Sequence, residues 1–180
     1  RERVARELDG EVLEVGFGSG SNVPYYPTSV TRVLAVDPAT VGRRLAAERV
    51  AASPVPVEYI GLDGQDLPLD DHSVDHVLTT WTLCTIPDVE RALTEMRRVL
   101  RPGGALHFLE HGRAPDPKVA RLQDRFNGLE QRIAGGCNLN RPIDRLITEA
   151  GFWIDRLDRY YARGGPRVLT SMYEGIARPG

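Results

Sequence analysis

The segment Glu14 to Gly20, which reads E-V-G-F-G-S-G, carries glycine at every second position at the end of an apolar strand that begins at Val12. Glycine lets the backbone turn sharply, and it lets a ligand approach where a Cβ would collide. A loop of this kind is typical of an open α/β sheet, in which ligands bind outside the carboxyl ends of the strands. Because a glycine-rich run alone is a weak signal, the surrounding sequence has to support it.

Strands and helices alternate through the following hundred residues. Helical periodicity ends at the sequence R-P-G-G from Arg101, where glycine stops a helix. This alternation predicts βαβ units and a parallel, doubly wound sheet of the α/β class, within one domain over residues 1–180. The predicted strands are Val12–Val15, Arg32–Val36, Val57–Leu62, Val74–Thr79 and Ala105–Leu109, and the predicted helices are Val41–Ala52 and Val89–Leu100.

The last third of the chain has a less regular pattern. A helix is predicted over Val119–Ile133, and its apolar residues fall on one side. A glycine-rich loop, a helix over Ile143–Ala150 and a terminal hairpin of Trp153–Tyr161 with Val168–Tyr173 follow. We expect residues 112–142 to fold over the substrate site. The apolar positions of the first helix are Leu122, Phe126, Leu129 and Ile133.

Composition narrows the classes of function. The formal net charge of −2 gives no overall field that would attract nucleic acid, so a polyanionic partner is disfavoured. Cys84 and Cys137 are far apart in sequence and predict neither a metal site nor a disulfide framework, which favours a cytoplasmic setting. The chain begins at Arg1 and soon reaches its first strand, so we expect a natural N-terminal segment to be missing. Oligomeric state is not predicted.

The chemistry of the loop favours one ligand. A dinucleotide-binding loop reads G-x-G-x-x-G, and here Ser21 occupies the place of the last glycine. Glu14 adds a negative charge, which suits an amino group and opposes a pyrophosphate. S-adenosylmethionine has an ammonium group and a sulfonium but no phosphate, so the loop fits this cofactor better.

The ends of the next two strands offer what an adenosyl ligand needs. Asp37 follows the second strand, where a carboxylate can bind both ribose hydroxyls. Its alternative role is to cap the next helix. After the third strand, Asp63 can accept from the adenine amino group, and a backbone N–H of Gly64 or Gln65 can donate to a ring nitrogen. Asp63 and Asp66 could instead be solvated loop acids.

These motifs together resemble those of class I S-adenosylmethionine-dependent methyltransferases. The resemblance is carried by Leu13–Gly20, Asp37, Asp63–Pro68, Ser73–Asp75 and Arg98–Gly104. It implies a Rossmann-like methyltransferase fold, a seven-stranded, mostly parallel sheet with an antiparallel last strand. It also implies cofactor contacts in the loop, at Asp37 and in the turn at Asp63. The predicted cofactor-binding residues are Glu14, Gly16, Phe17, Gly18, Ser19, Gly20, Asn22, Asp37, Pro38, Asp63, Gly64, Gln65, Asp66, Thr80 and Trp81.

A narrower resemblance concerns the acceptor. The segments Trp81–Cys84, Glu110–His111 and Gly136–Leu139, together with Tyr25–Pro27, are similar to the methyltransferase-like branch whose members methylate thiols. The chain lacks the hydrophobic N-terminal anchor of that branch, so membrane association is not implied. The resemblance suggests a small thiol as the acceptor.

The acceptor side is expected at the ends of the fourth and fifth strands, at Thr80, Trp81, Glu110 and His111. His111 is the candidate general base, although a structural histidine is an equal alternative. Basic residues of the last third are expected on outer helix faces, among them Arg141. The predicted acceptor-binding residues are Tyr25, Tyr26, Trp81, Phe126, Cys137 and Leu139.

Other classes of function stay open at this point. Methylation of a phenol-like oxygen or a nitrogen is the nearest rival to thiol methylation. An NAD(P)-dependent oxidoreductase would share the first strands and Asp37, but Ser21 and Glu14 oppose it. A non-catalytic module that binds S-adenosylmethionine is a further alternative, because no base is assured. An RNA substrate is disfavoured.

Overall fold

The alternating strands form one seven-stranded sheet in this computed structural model, which describes all residues from Arg1 to Gly180. The strand order is β3-β2-β1-β4-β5-β7-β6, and only β7 runs antiparallel to its neighbours. The predicted doubly wound sheet with an antiparallel last strand is therefore confirmed. The strands are β1 Gly10–Val15, β2 Val30–Val36, β3 Val57–Gly61, β4 Val74–Thr80, β5 Leu100–His111, β6 Phe152–Tyr161 and β7 Ser171–Pro179.

The register of the parallel strands brings their carboxyl ends to one edge. Val15 at the end of β1 pairs with Val36 of β2 on one side and with Thr79 of β4 on the other. Thr80 at the end of β4 pairs with Leu109 of β5. The residues that follow these strands are consequently neighbours in space, although up to about a hundred positions separate them in sequence.

Helices cover both faces of the sheet. The helices are α1 Glu2–Ala5, α2 Thr40–Ala51, α3 Val89–Val99, α4 Pro117–Ile133, α5 Ile143–Glu149 and α6 Arg167–Thr170. In α3 the Asp88 side chain caps the N-terminus by accepting from the Arg91 N–H, and the apolar face, including Leu93 and Met96, is fully buried. No helix combines the length and the apolar content that a membrane crossing requires.

Two elements differ from the predicted ones by more than two residues. The expectation that glycine stops α3 is wrong, because the helix ends at Val99 and the glycine-containing segment belongs to β5, which begins at Leu100 and is twelve residues long. At the other end of the chain, Arg167–Thr170 forms the short helix α6, and the last strand starts only at Ser171. Pro166 fixes the backbone at the start of that helix, which delays the return strand of the hairpin.

The apolar side of α4 is not buried as predicted. Its four apolar residues are exposed, with Phe126 at 43% and Leu129 at 55%. The helix is anchored instead by the fully buried Gln123, whose amide accepts from the Ala114 N–H at 2.8 Å and donates to the Gly112 carbonyl at 3.1 Å. These polar contacts orient α4 so that its apolar side faces solvent.

A pair of histidines links the amino-terminal helix to the sheet. Nε2 of His107 lies 3.0 Å from Nδ1 of His76, and Nδ1 of His107 lies 3.1 Å from the Val4 carbonyl of α1. His76 also contacts the Asp9 carboxylate at 3.0 Å. Burial, followed by the nearby His76, lowers the pKa of His107 from 6.5 to about 4, so this imidazole is neutral in the folded protein at pH 7.

This buried imidazole predicts a loss of stability in acid. Below pH 6.5 the unfolded chain binds a proton at His107, while the folded chain keeps the ring neutral until the pH nears about 4. The free energy of unfolding therefore falls by about 3 kcal/mol as the pH drops from 6.5 to about 4, because the stability present above pH 6.5 is lost in this window. Urea unfolding of the wild type and of His107→Gln across the window measures the difference.

The comparison needs a histidine control because other groups titrate in the same range. The exposed His72 provides it, since His72→Gln should leave the pH dependence of the wild type unchanged. If the free energy of unfolding depends on pH in the same way in the wild type and in His107→Gln, the prediction is contradicted.

Candidate active site

A cavity of about 240 Å³ lies at the edge where the parallel strands end. One side is formed by the residues that follow β1, β2 and β3. The other side is formed by the turn after β4, from Trp81 to Pro87, with Gly135 from the loop that follows α4. Six of the predicted cofactor-binding residues line this cavity: Gly16, Asp37, Pro38, Asp63, Gly64 and Gln65.

At Gly16 the glycine loop turns where no other residue would fit. Gly16 has φ +80°, and a Cβ there would lie 1.9 Å from Oγ1 of Thr82, so the loop and the turn after β4 are in close contact. Gly18 has φ +55°, and a Cβ there would have no neighbour nearer than 4.0 Å. The loop is thus closed on one side and open on the other, which is the side a ligand can approach.

The Asp37 carboxylate joins the glycine loop to α2. Its Oδ2 accepts from the Gly18 N–H at 2.7 Å and its Oδ1 accepts from the Ala39 N–H at 2.7 Å. Asp37 therefore orders the loop before α2, but it does not cap the helix, because the N-cap residue is Ala39 and no side chain caps it. Because each carboxylate oxygen has two lone pairs, both oxygens can still accept from ribose hydroxyls.

The turn after β3 is ordered by its own side chains. Oδ1 of Asp63 accepts from the backbone N–H of Gln65 at 2.8 Å and from its amide at 2.9 Å, which lowers the pKa of the Asp63 carboxyl. The Gln65 N–H is thereby used, and the Gly64 N–H is left for a ligand. A Cβ on Gly64 would lie 2.7 Å from Cγ1 of Val15, so the strand end leaves room only for glycine. The exposed Asp66 does not line the cavity.

Glu14 is enclosed beneath the loop. Its oxygens accept from the amide of Asn22 at 3.0 Å and from the hydroxyl of Tyr26, and the same amide contacts Oγ1 of Thr80 at 2.9 Å. Burial raises the pKa of Glu14 to about 7. This network supports the loop from below.

The remaining predicted cofactor-binding residues lie near the cavity without lining it. Phe17 packs edge-on against Tyr59, with ring centroids 5.4 Å apart, under the loop. The carbonyl of Ser19 accepts from Arg49 at 2.9 Å. The residues that do not line the cavity are Glu14, Phe17, Gly18, Ser19, Gly20, Asn22, Asp66, Thr80 and Trp81.

Trp81 and His111 are stacked at the ends of β4 and β5. Their rings are nearly parallel, at 11°, with centroids 6.2 Å apart. Trp81 has φ +61°, which is uncommon for a non-glycine residue, and its side chain is 45% exposed. His111 is buried, and its Nε2 has no hydrogen-bond partner within the protein. The stack therefore presents an aromatic face to solvent above a buried ring nitrogen.

Cys137 lies against this pair. Its Sγ is 3.9 Å from Nδ1 of His111, and the thiol of Cys84 is a neighbour. The Cys84 thiol, followed by His111, lowers the pKa of Cys137 to about 5, whereas the pKa of Cys84 is raised by the nearby Cys137 and by burial. The structure thus brings together two cysteines that are distant in sequence.

Glu110 and Arg141 hold the turn after β4. Oε2 of Glu110 accepts from the N–H groups of Thr82 at 2.9 Å and Leu83 at 3.0 Å, and burial raises the pKa of Glu110 to about 8. The Arg141 guanidinium donates to the carbonyls of Leu83 and Ile86, the latter at 2.7 Å. The expectation that Arg141 belongs to an outer helix face is wrong, because these carbonyls draw it inward.

Several predicted acceptor residues lie elsewhere than expected. Tyr26 is buried with its hydroxyl on Glu14, and Phe126 faces solvent on α4. Leu139 is fully buried, with its N–H donated to the Asn127 side chain at 2.8 Å. Tyr25 is exposed after β1. Only Trp81 and Cys137 are brought next to His111. Sequence reasoning missed Thr82, Thr85 and Ile86, since small or apolar loop residues carry no chemical signal of a site.

Comparison with known proteins agrees with this geometry. Residues 13–108 match the family model of the methyltransferase domain. The chain is 33% identical over 161 residues to human thiol S-methyltransferase TMT1B, covering 82% of this chain and 62% of that protein. It is 31% identical to phosphatidylethanolamine N-methyltransferase of Cereibacter sphaeroides, covering 83% of this chain and 74% of that protein. The chain spans about three fifths of the length of the thiol methyltransferases that it matches.

The solved structure of an S-adenosylmethionine-dependent methyltransferase from Methanosarcina mazei has the same fold. It superposes with a TM-score of 0.70 at 21% identity, covering 95% of this chain and 92% of that one. The chain therefore belongs to the methyltransferase domain family. The resemblance noted in the sequence, and with it the expectation of S-adenosylmethionine as the cofactor, is confirmed.

Replacement of Asp37 by alanine should weaken cofactor binding by about 1.5–3 kcal/mol, because charged hydrogen bonds to the ribose and to the Gly18 N–H are lost together. Calorimetric titration with S-adenosylhomocysteine measures the loss. Asp70→Ala is the matched control, since it removes an exposed carboxylate outside the cavity. Equal affinities of folded Asp37→Ala and the wild type would mean that the carboxylate only orders the glycine loop and the segment before α2.

Proposed function

We propose that this chain transfers the methyl group of S-adenosylmethionine to the sulfur of a small, largely apolar thiol. The observation that carries the proposal is the stacked pair of Trp81 and His111 at the strand ends next to the cavity. It combines an exposed apolar face with a buried nitrogen, Nε2 of His111, that has no partner within the protein.

The residues around the cavity suit the cofactor in their chemistry. The open side of Gly18 leaves room for the ligand, and Asp37 has lone pairs for the ribose hydroxyls. The Gly64 N–H and the free oxygen of Asp63 are available to an adenine ring. When bound, S-adenosylmethionine supplies an electrophilic methyl carbon on a sulfonium, and its sulfur becomes a neutral thioether.

The acceptor side has to hold the thiol in line with that carbon and to receive its proton. Trp81 offers an aromatic surface on which a small apolar molecule can lie. Nε2 of His111 can accept the thiol proton, and solvent at the exposed edge can do so as well. Alignment of the acceptor contributes most of the rate enhancement, because a thiolate is already a strong nucleophile.

A thiol fits this arrangement better than its rivals. With a pKa near 8.5, a thiol is a few per cent ionised at about pH 7, so it needs little help from a base. The similarity to thiol S-methyltransferases supports this choice. Free thiols at Cys84 and Cys137 support a cytoplasmic site of action, where such groups stay reduced. The net charge of −2 disfavours RNA as a substrate.

The rival acceptor is a phenol or an amine, and a substrate panel separates it from a thiol. We expect methyl transfer to small aryl and alkyl thiols, detected by mass spectrometry with deuterated S-adenosylmethionine. Turnover of a phenol or an amine alongside inactivity on every thiol would overturn the thiol proposal. Cofactor binding without turnover of any acceptor would indicate a non-catalytic binding module.

Substitution of His111 tests how much a base contributes. With a thiol acceptor, His111→Gln should lower kcat less than tenfold, and the loss should shrink as the pH rises toward about 8.5. A weaker acid as acceptor would lose about 10²–10⁴-fold instead. Initial rates from about pH 6.5 to about pH 9 measure the effect, with exposed His72→Gln as the control. A pH-independent loss larger than a hundredfold would contradict a minor role for the base.

A further inference from the structure

Cys84 and Cys137 lie on the two segments that form one side of the cavity. Cys84 belongs to the turn after β4, and Cys137 belongs to the loop after α4, at residues 134–139. The Asn138 N–H donates to the Cys84 carbonyl at 2.8 Å, and the Asn138 amide donates to the same carbonyl at 2.9 Å. The backbone next to Cys137 is therefore hydrogen-bonded to the backbone of Cys84, and the two thiols are neighbours. Disulfide formation requires such a close approach of the two backbones.

The two cysteines differ in access and in charge. Cys84 is fully buried, whereas Cys137 is partly exposed and can meet a small oxidant. Nδ1 of His111 lies 3.9 Å from Sγ of Cys137, and the Arg141 guanidinium is close enough to favour a thiolate there. A thiolate that is accessible and next to a second thiol is the arrangement found at oxidation-sensitive cysteines.

We propose that Cys84 and Cys137 form a dithiol site that hydrogen peroxide oxidises reversibly to a disulfide, which fastens the loop 134–139 to the turn 82–87 at the cofactor cavity. The thiolate of Cys137 attacks one peroxide oxygen, the O–O bond breaks, and sulfenic acid and water are the products after proton transfer. The Cys84 sulfur then displaces hydroxide from the Cys137 sulfur. The hydroxide takes the Cys84 proton and leaves as water.

The consequence for the cavity follows from what the two segments contribute to it. Thr82, Thr85 and Ile86 come from the turn, and Gly135 comes from the loop. A sulfur–sulfur bond of about 2.05 Å is shorter than the contact between two thiols, so it draws the segments together and prevents their separation. Ligand exchange through this side of the cavity slows in the oxidised protein. The dithiol chemistry itself does not depend on which acceptor is methylated.

Mass spectrometry of the peroxide-treated wild-type chain tests the site without any assay of activity. The intact monomer should become lighter by two hydrogen atoms, and a Cys84–Cys137 peptide should appear after digestion and vanish after treatment with tris(2-carboxyethyl)phosphine. In Cys84→Ala the same treatment should stop at a sulfenic acid on Cys137, trapped with dimedone. Bonds between two chains, or oxidation of Cys137 without the link in the wild type, would overturn the proposal.

Two further measurements test the fastening of the loop. The midpoint of thermal unfolding should rise by about 5 °C on oxidation of the wild type and not of Cys84→Ala. Dissociation of S-adenosylhomocysteine, followed by stopped flow, should slow at least about fivefold in the oxidised wild type, since the cavity walls can no longer separate. A disulfide that leaves both quantities unchanged would contradict the fastening. Failure to bind S-adenosylhomocysteine in either redox state would count against the cofactor and not against the dithiol.

Discussion

The cavity depends on how the turn from Trp81 to Pro87 is held. The Glu110 carboxylate accepts from two N–H groups of the turn, and the Arg141 guanidinium donates to its carbonyls. Thr82 of this turn presses on Gly16 so closely that no Cβ fits between them. The position of the turn therefore sets that of the glycine loop, and with it the shape of the cavity. This part of the backbone is fixed by a buried carboxyl group from β5 and by a guanidinium group from the segment before α5.

Two buried carboxyl groups lie at the same edge of the sheet. Burial raises the pKa of Glu14 to about 7 and that of Glu110 to about 8, and each accepts hydrogen bonds that order a neighbouring loop. Burying a carboxyl group is costly unless it is hydrogen-bonded, and perturbed acids concentrate at functional sites for that reason. The strain at Trp81, whose φ is +61°, lies in the same region. Polar burial and strain thus occur together at the edge of the sheet where the cavity lies.

Local patterns in the sequence were sufficient to predict the sheet and six of the residues that line the cavity. Periodicity identified the five parallel strands within a few residues, and the spacing of Gly16 and Asp37 placed them on one cavity. What failed depended on tertiary contacts. Arg141 turns inward because unpaired carbonyls are there to receive it, and Tyr26 turns under the loop because Glu14 accepts its hydroxyl. Neither partner can be identified from sequence spacing, since both contacts join distant segments.

The orientation of α4 bears most directly on the choice of acceptor. Buried Gln123 fixes the helix with Phe126 and Leu129 facing solvent. Under the proposed function the acceptor would meet mainly Trp81 and His111, a surface that selects weakly by shape. Relatives of about equal identity act on a thiol and on phosphatidylethanolamine, which agrees with a fold that fixes the cofactor and leaves the acceptor to a few side chains. If the acceptor lies on this open surface as proposed, selection would fall to the chemistry of the nucleophile, and a group that ionises readily near neutral pH would have the advantage.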